Sequence, residues 1–326
     1  MSQTTTSPSV PVPAVEIKAP NRFGNRLFEG LTLASAAMIG VCFLCVAYVL
    51  VKGAWLAMGH YGWSFLTNQH WNPVTENFGA LPFIIGTLVS ALIALLIAVP
   101  LSIGTAIFLT DLAPVWMRQP LTSVIEMLAA VPSVIWGLWG LFVLMPWLHD
   151  HPYTWTYKHF GKVPIFGGPI EGSGACTMSA GIIVAIMILP IVTSVSREIL
   201  RSVPDLQREA AYGLGATRWE VTRIAVLSYA RRGLMGAAVL GLGRALGETM
   251  AVTMVIGNSP TIHASLLQPG WTLASVIANQ FGEASDDLMR STLYEIGLVL
   301  VAVTILVNIG ALILIRSIET PGSRRA

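Results

Sequence analysis

Residues 204–230 read PDLQREAAYGLGATRWEVTRIAVLSYA, and they separate two apolar runs, 176–202 and 232–257. A connection between helices needs only a few residues, yet this one carries helical pattern on both sides of Gly213-Leu214-Gly215. Residues 205–212 read as a short helix with Asp205 and Glu209 early in it. Gly213 and Gly215 can turn the chain through positive φ. From Thr217 a second helix brings Val221, Ile224 and Leu227 or Ser228 onto one face, and Trp219 with Val226 onto another. The spacing predicts a helix–turn–helix at a membrane surface. Its small residues, Ala210, Ala211 and Gly215, would let another protein approach the backbone closely. The alternative is an ordinary amphipathic, positively charged loop.

The flanking runs belong to a chain that is apolar throughout. Of 326 residues, 54% are hydrophobic and 11% charged, and the mean hydropathy is +0.68; a soluble domain carries about 25% charged residues. So little charge cannot cover a globule in water, which makes the chain an all-α integral membrane protein. A net charge of +2 excludes a nucleic-acid footprint. A bilayer span takes about 20 apolar residues, and six stretches qualify: 30–51, 80–110, 119–148, 176–202, 232–257 and 293–317. The second is too long for one untilted span and too short for two, so it reads as one helix kinked at Pro100. Pro132 and Pro190 kink the third and fourth.

The resulting organisation is a disordered tail over 1–28, a first transmembrane helix with its external segment over 29–75, five helices over 76–317, and a second tail over 318–326. Six spans put both termini on one side, and the basic residues choose it. Lys18, Arg22, Arg26, Arg118, Arg197, Arg201, Arg208, Arg218, Arg223, Arg231, Arg232, Arg316, Arg324 and Arg325 fall on the side of the termini, fourteen in all. Lys52, Lys158, Lys162 and Arg290 fall on the other. The positive-inside rule makes the first side, with the loop 204–230, cytoplasmic. The external segments 147–175 and 258–291 read either as lids or as a docking surface.

Two charges remain inside the fifth stretch, GLMGAAVLGLGRALGETMAVTMVIGN from Gly233. Arg244 lies roughly 18 Å of helix from Arg232, near the bilayer centre, and Glu248 follows one turn on, on the same face. Each costs about 2.5–3.5 kcal/mol to insert, so both must face protein or a water-filled path. Gly243 and Gly247 form a small-xxx-small pair suited to close helix packing. One reading is a structural ion pair. The other is an anion path, in which the forked guanidinium matches a tetrahedral oxyanion and the carboxylate keeps binding weak enough for release.

Glu209-Ala210-Ala211, three residues, then Gly215 resembles the EAA signature of the membrane subunits of binding-protein-dependent ABC transporters. In that family this segment is the coupling helix that inserts into a groove of the ATPase. The Ile-x-Leu-Pro that follows in the family reads Ala225-Val226-Leu227-Ser228 here, without the Ile and the Pro. Three further stretches are similar to the PstC-type permeases of bacterial phosphate transporters: FGALPFIIGT from Phe78, AAVPSVIWGLWG from Ala129, and GLGRALGETMAV from Gly241. The resemblance covers about 75–260. It implies a type I ABC-importer permease (MetI-like) core in the bacterial inner membrane, with Arg244 and Glu248 on the phosphate path. It also implies a second permease subunit, an ATPase subunit dimer and a periplasmic phosphate-binding protein as partners. Sulfate, molybdate or phosphonate would suit an arginine equally well, and an ATP-independent ion-coupled carrier is the rival mechanism.

The remaining signals are weak. No G-x-x-x-x-G-K-[ST] occurs, so this chain is not the ATPase. No nucleophile or cofactor site suggests an enzyme. His149-Asp150-His151 invites a metal reading but lacks further ligands in sequence, so no metal is expected. Glu126 reads as an interfacial residue or a minor member of the path. Cys42 and Cys45 read as apolar filling, and Cys176 stands alone.

Overall fold

Runs of Ile, Leu, Val and Ala give the backbone no polar partner but itself, so in lipid they close their hydrogen bonds within helices. The computed structural model describes residues 22–168 and 172–317, and most of them are helical. Among them, strand pairing is confined to two isolated bridges, Asn72–Asn77 and Gly257–Gly270. The chain divides into two units, Met1–Val49 and Leu50–Ala326. The described part of the first is the opening of helix α1 (Arg22–Tyr61), where Cys42 and Cys45 are exposed rather than packed. The expected tail reached residue 28. Its residues from Arg22 on are helical, and those before lie outside the described residues, as does the expected tail 318–326.

The second unit continues with α2 (Leu81–Ile107), which runs on as a π turn over Phe108–Leu112. Then follow α3 (Val115–Ala130), α4 (Ser133–Trp139, prolonged to Phe160 by alternating π and α turns), α5 (Thr177–Arg201) and α6 (Asp205–Gly213). A π segment, Val221–Val226, leads into α7 (Leu227–Leu246), followed by α8 (Met250–Val255), α9 (Leu273–Gln280) and α10 (Asp287–Ser317).

Four of these helices are long and apolar enough to cross a bilayer: α1, α2 with its π turn, α5 and α10. The third expected span is not one helix. It is α3 and prolonged α4, bent by 92°, because Pro132 forces Val131 into extended backbone. The fifth is broken too, at Gly247-Glu248-Thr249 between α7 and α8. The six expected stretches thus map onto four continuous helices and two broken ones.

Helix α5 is the hub, packed against α2, α3, α7 and α8. In lipid, apolar burial does not drive helices together, so association depends on close fit between small residues. Ala91, Ala94 and Ala98 of α2 meet Ala180, Ile183 and Val184 of α5 in the largest core cluster. A Cβ on Gly181 would stand 2.5 Å from Ile93. Gly137 and Gly140 do the same for prolonged α4: a Cβ on Gly137 would meet Met254 Sδ of α8 at 2.7 Å, and one on Gly140 would meet Ile183 Cδ1 of α5 at 2.7 Å and Val255 Cγ1 of α8 at 3.1 Å. A second cluster of Phe65, Trp71, Phe78, Phe83, Trp271 and Leu273 closes one end of the bundle. Its rings pack edge-on, Trp71 on Phe83 at 5.0 Å and Phe83 on Trp271 at 5.7 Å.

Candidate functional site

The break between α7 and α8 sets the geometry of the charged pair. Helix α7 ends at Leu246, and the freed carbonyl of Gly247 accepts a hydrogen bond from the Thr249 hydroxyl at 3.2 Å. Arg244 occupies the last turn of α7, while Glu248 lies in the break itself, so the two do not share one continuous helix face. They still meet: Arg244 Nη2 is 3.5 Å from Glu248 Oε2. Their surroundings differ sharply, since the arginine side chain is 49% exposed and the glutamate 5%. Arg244 opens into a groove of about 610 Å3 between α5, α7 and α10, lined by Ile191, Gly236, Val239, Leu240, Gly243 and Asn308.

The glycines of α7 divide the labour differently from expectation. A Cβ on Gly243 would meet nothing within 4 Å, and one on Gly247 would reach only the Gly243 carbonyl at 3.7 Å. Neither packs against another helix. Gly241 and Gly233 do: a Cβ there would stand 2.7 Å from Val192 and 2.6 Å from Ile199 of α5. Gly243 instead leaves open the space beside Arg244. Beyond α8, Gly257 adopts φ +91° where a Cβ would strike Pro269 at 2.5 Å, and Asn258 Nδ2 donates to Thr253 O at 2.9 Å. The chain is thereby turned out of the bundle.

Across the turn 214–217 from the start of the helical run that leads into α7, α6 presents the small-residue patch. Glu209 and Ala210 are exposed, and Ala211 is half-buried beside them. Gly215 takes φ +85° with open space around it. The large apolar side chains beside the patch face outward as well, with Leu214 90%, Leu206 74% and Trp219 64% exposed. Thr217 starts the next helix with a capping box: the Thr217 amide and hydroxyl both donate to Glu220 Oε2 at 2.8 Å. These bonds hold the Glu220 carboxyl below the usual carboxylate range. The helix is π-wound over Val221–Val226 and continues into α7. In that exit Ser228 donates to Arg223 O at 3.5 Å, where the family pattern has proline.

Sequence reading missed what fastens α6. Arg208 Nη1 donates to Asp111 Oδ1 at 2.7 Å, and its Nη2 donates to Leu200 O at 3.0 Å. Thr222 Oγ1 donates to Asp111 Oδ2 at 3.3 Å. Asp111 lies in the π turn that ends α2, so one carboxylate ties α6 and the π segment of α7 to a spanning helix. The available signal was an acidic residue at the end of an apolar run. Elsewhere, Glu126 lies on α3 and shares a small crevice with Thr193 and Arg197 of α5. His149 pairs with Asp150 at 2.9 Å, and no group of three metal-ligating side chains occurs among the described residues.

Residues 98–320 match the family described as binding-protein-dependent transport system inner membrane component. That match spans more than half of the sequence, and the chain belongs to this family of multi-pass inner-membrane permeases. Curated relatives narrow the class. A protein of Mesorhizobium japonicum is 48% identical over 86% of each chain. One of Pasteurella multocida is 45% identical over 92% of this chain and 94% of its own. Both are called phosphate transport system permease protein PstC, as is a Haemophilus influenzae relative at 45% identity. Within the family, the chain therefore groups with the PstC permeases. The fold agrees with a solved bacterial ABC transporter for the acidic polysaccharide alginate, at TM-score 0.54 and 17% identity, covering 91% of this chain and 99% of that one.

Proposed function

We propose that the chain is the membrane subunit through which inorganic phosphate crosses the bacterial inner membrane, driven by ATP hydrolysis on a partner. The observation that carries this reading is the pairing of PstC relatives with a half-exposed guanidinium, Arg244, at a groove inside an apolar bundle. Arg244 would bind the oxyanion through its forked, always-charged donors. Glu248, buried and 3.5 Å away, would compete for those donors and hasten release. The exposure of Arg244 leaves room for a second permease subunit to complete the path.

The cytoplasmic surface would receive the ATPase dimer. Glu209, Ala210, Ala211 and Gly215, with the exposed Leu206 and Leu214 beside them, suit insertion into a partner's groove. The helical run from Arg218 to Leu246 then joins the docking surface to Arg244 over roughly 40 Å. Movement of the ATPases would tilt that run and switch the side to which Arg244 opens. A periplasmic phosphate-binding protein would deliver the cargo to the opposite face, with both termini cytoplasmic.

The test is ATP-dependent uptake of labelled phosphate by the reconstituted complex, with sulfate as competitor. Uptake that needs ATP and resists sulfate supports the reading. Uptake of sulfate at equal rate, or uptake in the absence of ATPase subunits, points to another oxyanion or to an ion-coupled carrier.

A further inference from the structure

Glu295 of α10 is 7% exposed, and its Oε2 is buried without a hydrogen-bond partner. Burying an unpaired carboxyl is costly, and the neighbouring cation does not relieve it. Arg290 donates to Ala284 O at 3.1 Å and lies 3.9 Å from Asp287. Glu295 instead lines one end of a groove of about 520 Å3 whose other lining residues are all uncharged, among them Trp63, Leu66, Ile84, Ala302 and Leu306.

The shape of that groove is informative. Along α10 it follows Glu295, Leu298, Val299, Ala302, Val303 and Leu306, a single stripe of spacing three and four. The stripe is roughly 16 Å long, close to the depth of one leaflet, about 15 Å. Its charged end sits beside Trp63, 87% exposed, of the type that anchors at the headgroup level. The exposed Asp287 and half-exposed Arg290 stand just beyond. Exposed apolar side chains continue past Leu306 at Ile309, Leu312, Ile313 and Leu314, but the groove does not. A packed protein helix would use the whole face; an occupant that stops at mid-membrane has the length of one acyl chain.

We propose that this groove seats one acyl chain of a phospholipid whose primary ammonium headgroup pairs with Glu295. The ammonium, reaching the carboxyl from the groove that Glu295 lines, supplies the countercharge and an N–H donor that no neighbouring side chain gives it. The inference does not depend on which cargo the protein carries.

Native mass spectrometry of the assembled transporter, released in mild detergent and supplied with phosphatidylethanolamine, phosphatidylcholine or phosphatidylglycerol, tests it. Wild type is expected to retain phosphatidylethanolamine about tenfold better than the other two. Glu295→Gln should erase that preference, by about tenfold or more for a lost charge-assisted bond, while still accepting acyl chains. Ala302→Phe, which fills the groove and leaves the carboxyl in place, should abolish retention of all three; it keeps the question answerable if the first variant fails to fold. Equal retention of phosphatidylglycerol by wild type, unchanged preference in Glu295→Gln, or cross-linking of Ala302→Cys to a protein chain instead of lipid would each overturn the proposal.

Discussion

Two arginine–carboxylate pairs lie near the two ends of the helical run 218–246, and they are built in opposite ways. Arg208 and Asp111 meet at 2.7 Å, both side chains mostly buried, with Leu200 O and Thr222 completing their bonds. Arg244 and Glu248 meet at 3.5 Å across a helix break, the arginine half exposed to a groove. The first pair has satisfied its donors and acceptors with protein. The second leaves a guanidinium with capacity to spare, in the part of the molecule where an unmet charge is most expensive. A joint that must transmit movement is served by the first arrangement, and a site that must bind and let go by the second.

That contrast can be broken most forcefully at Arg244. Arg244→Ala is expected to lower phosphate uptake about a hundredfold, in line with removing one partner of a charged contact, while ATPase subunits still copurify. Arg244→Lys should recover part of the uptake, because it restores charge but not the fork. Full uptake by the alanine variant would make the pair a structural one. At the other end, Asp111→Ala strands a partly buried Arg208 and should cost about 1.5–3 kcal/mol of stability. Its signature is hydrolysis that persists while phosphate moved per ATP falls, measured together in proteoliposomes. If uptake and hydrolysis fall in step, Asp111 supports only folding.

The sequence carried the spans, the two-helix surface loop and the membrane charges because each rests on composition within a short window. It did not carry the breaks. Pro132 announced a kink, but a 92° turn depends on Gly137 and Gly140 letting α4 lie against α8, a contact between distant segments. The same holds for Gly243, expected to pack and found beside open space, and for Gly241, which does the packing. Asp111 and Glu295 escaped notice for a related reason. A lone acid near or inside an apolar run is visible, but its meaning comes from what faces it.

Gly215→Ala would separate the proposed docking role from folding on a finer scale. Its φ is +85°, and a Cβ placed there would have nothing within 4 Å. Gly215→Ala therefore meets strain without a clash, about 1–2 kcal/mol. Its expected result is weaker association with the ATPase subunits at nearly unchanged thermal stability of the membrane core, read by copurification and melting. A drop in core stability equal to that of Asp111→Ala would mean that the turn is part of the joint and not of the docking surface.

The smallest effect concerns the exposed Thr217–Glu220 capping box. The Glu220 carboxyl titrates lower in the folded protein than in the unfolded chain, because the Thr217 amide and hydroxyl hold its charged form. Its contribution is therefore complete above the unfolded value, about 4.3, and is lost as pH falls through the lower folded value. Hydrogen exchange at the Thr217 amide should accelerate on acidification below about pH 4, beyond the intrinsic pH dependence, and Glu220→Ala should show the fast exchange at every pH. The Asp111–Arg208 contact, several residues away and better buried, should hold α6 in place throughout. Should α6 loosen together with the cap, the tight pair would not be the independent anchor that its geometry describes, and the contrast with Arg244 and Glu248 would lose its firmer half.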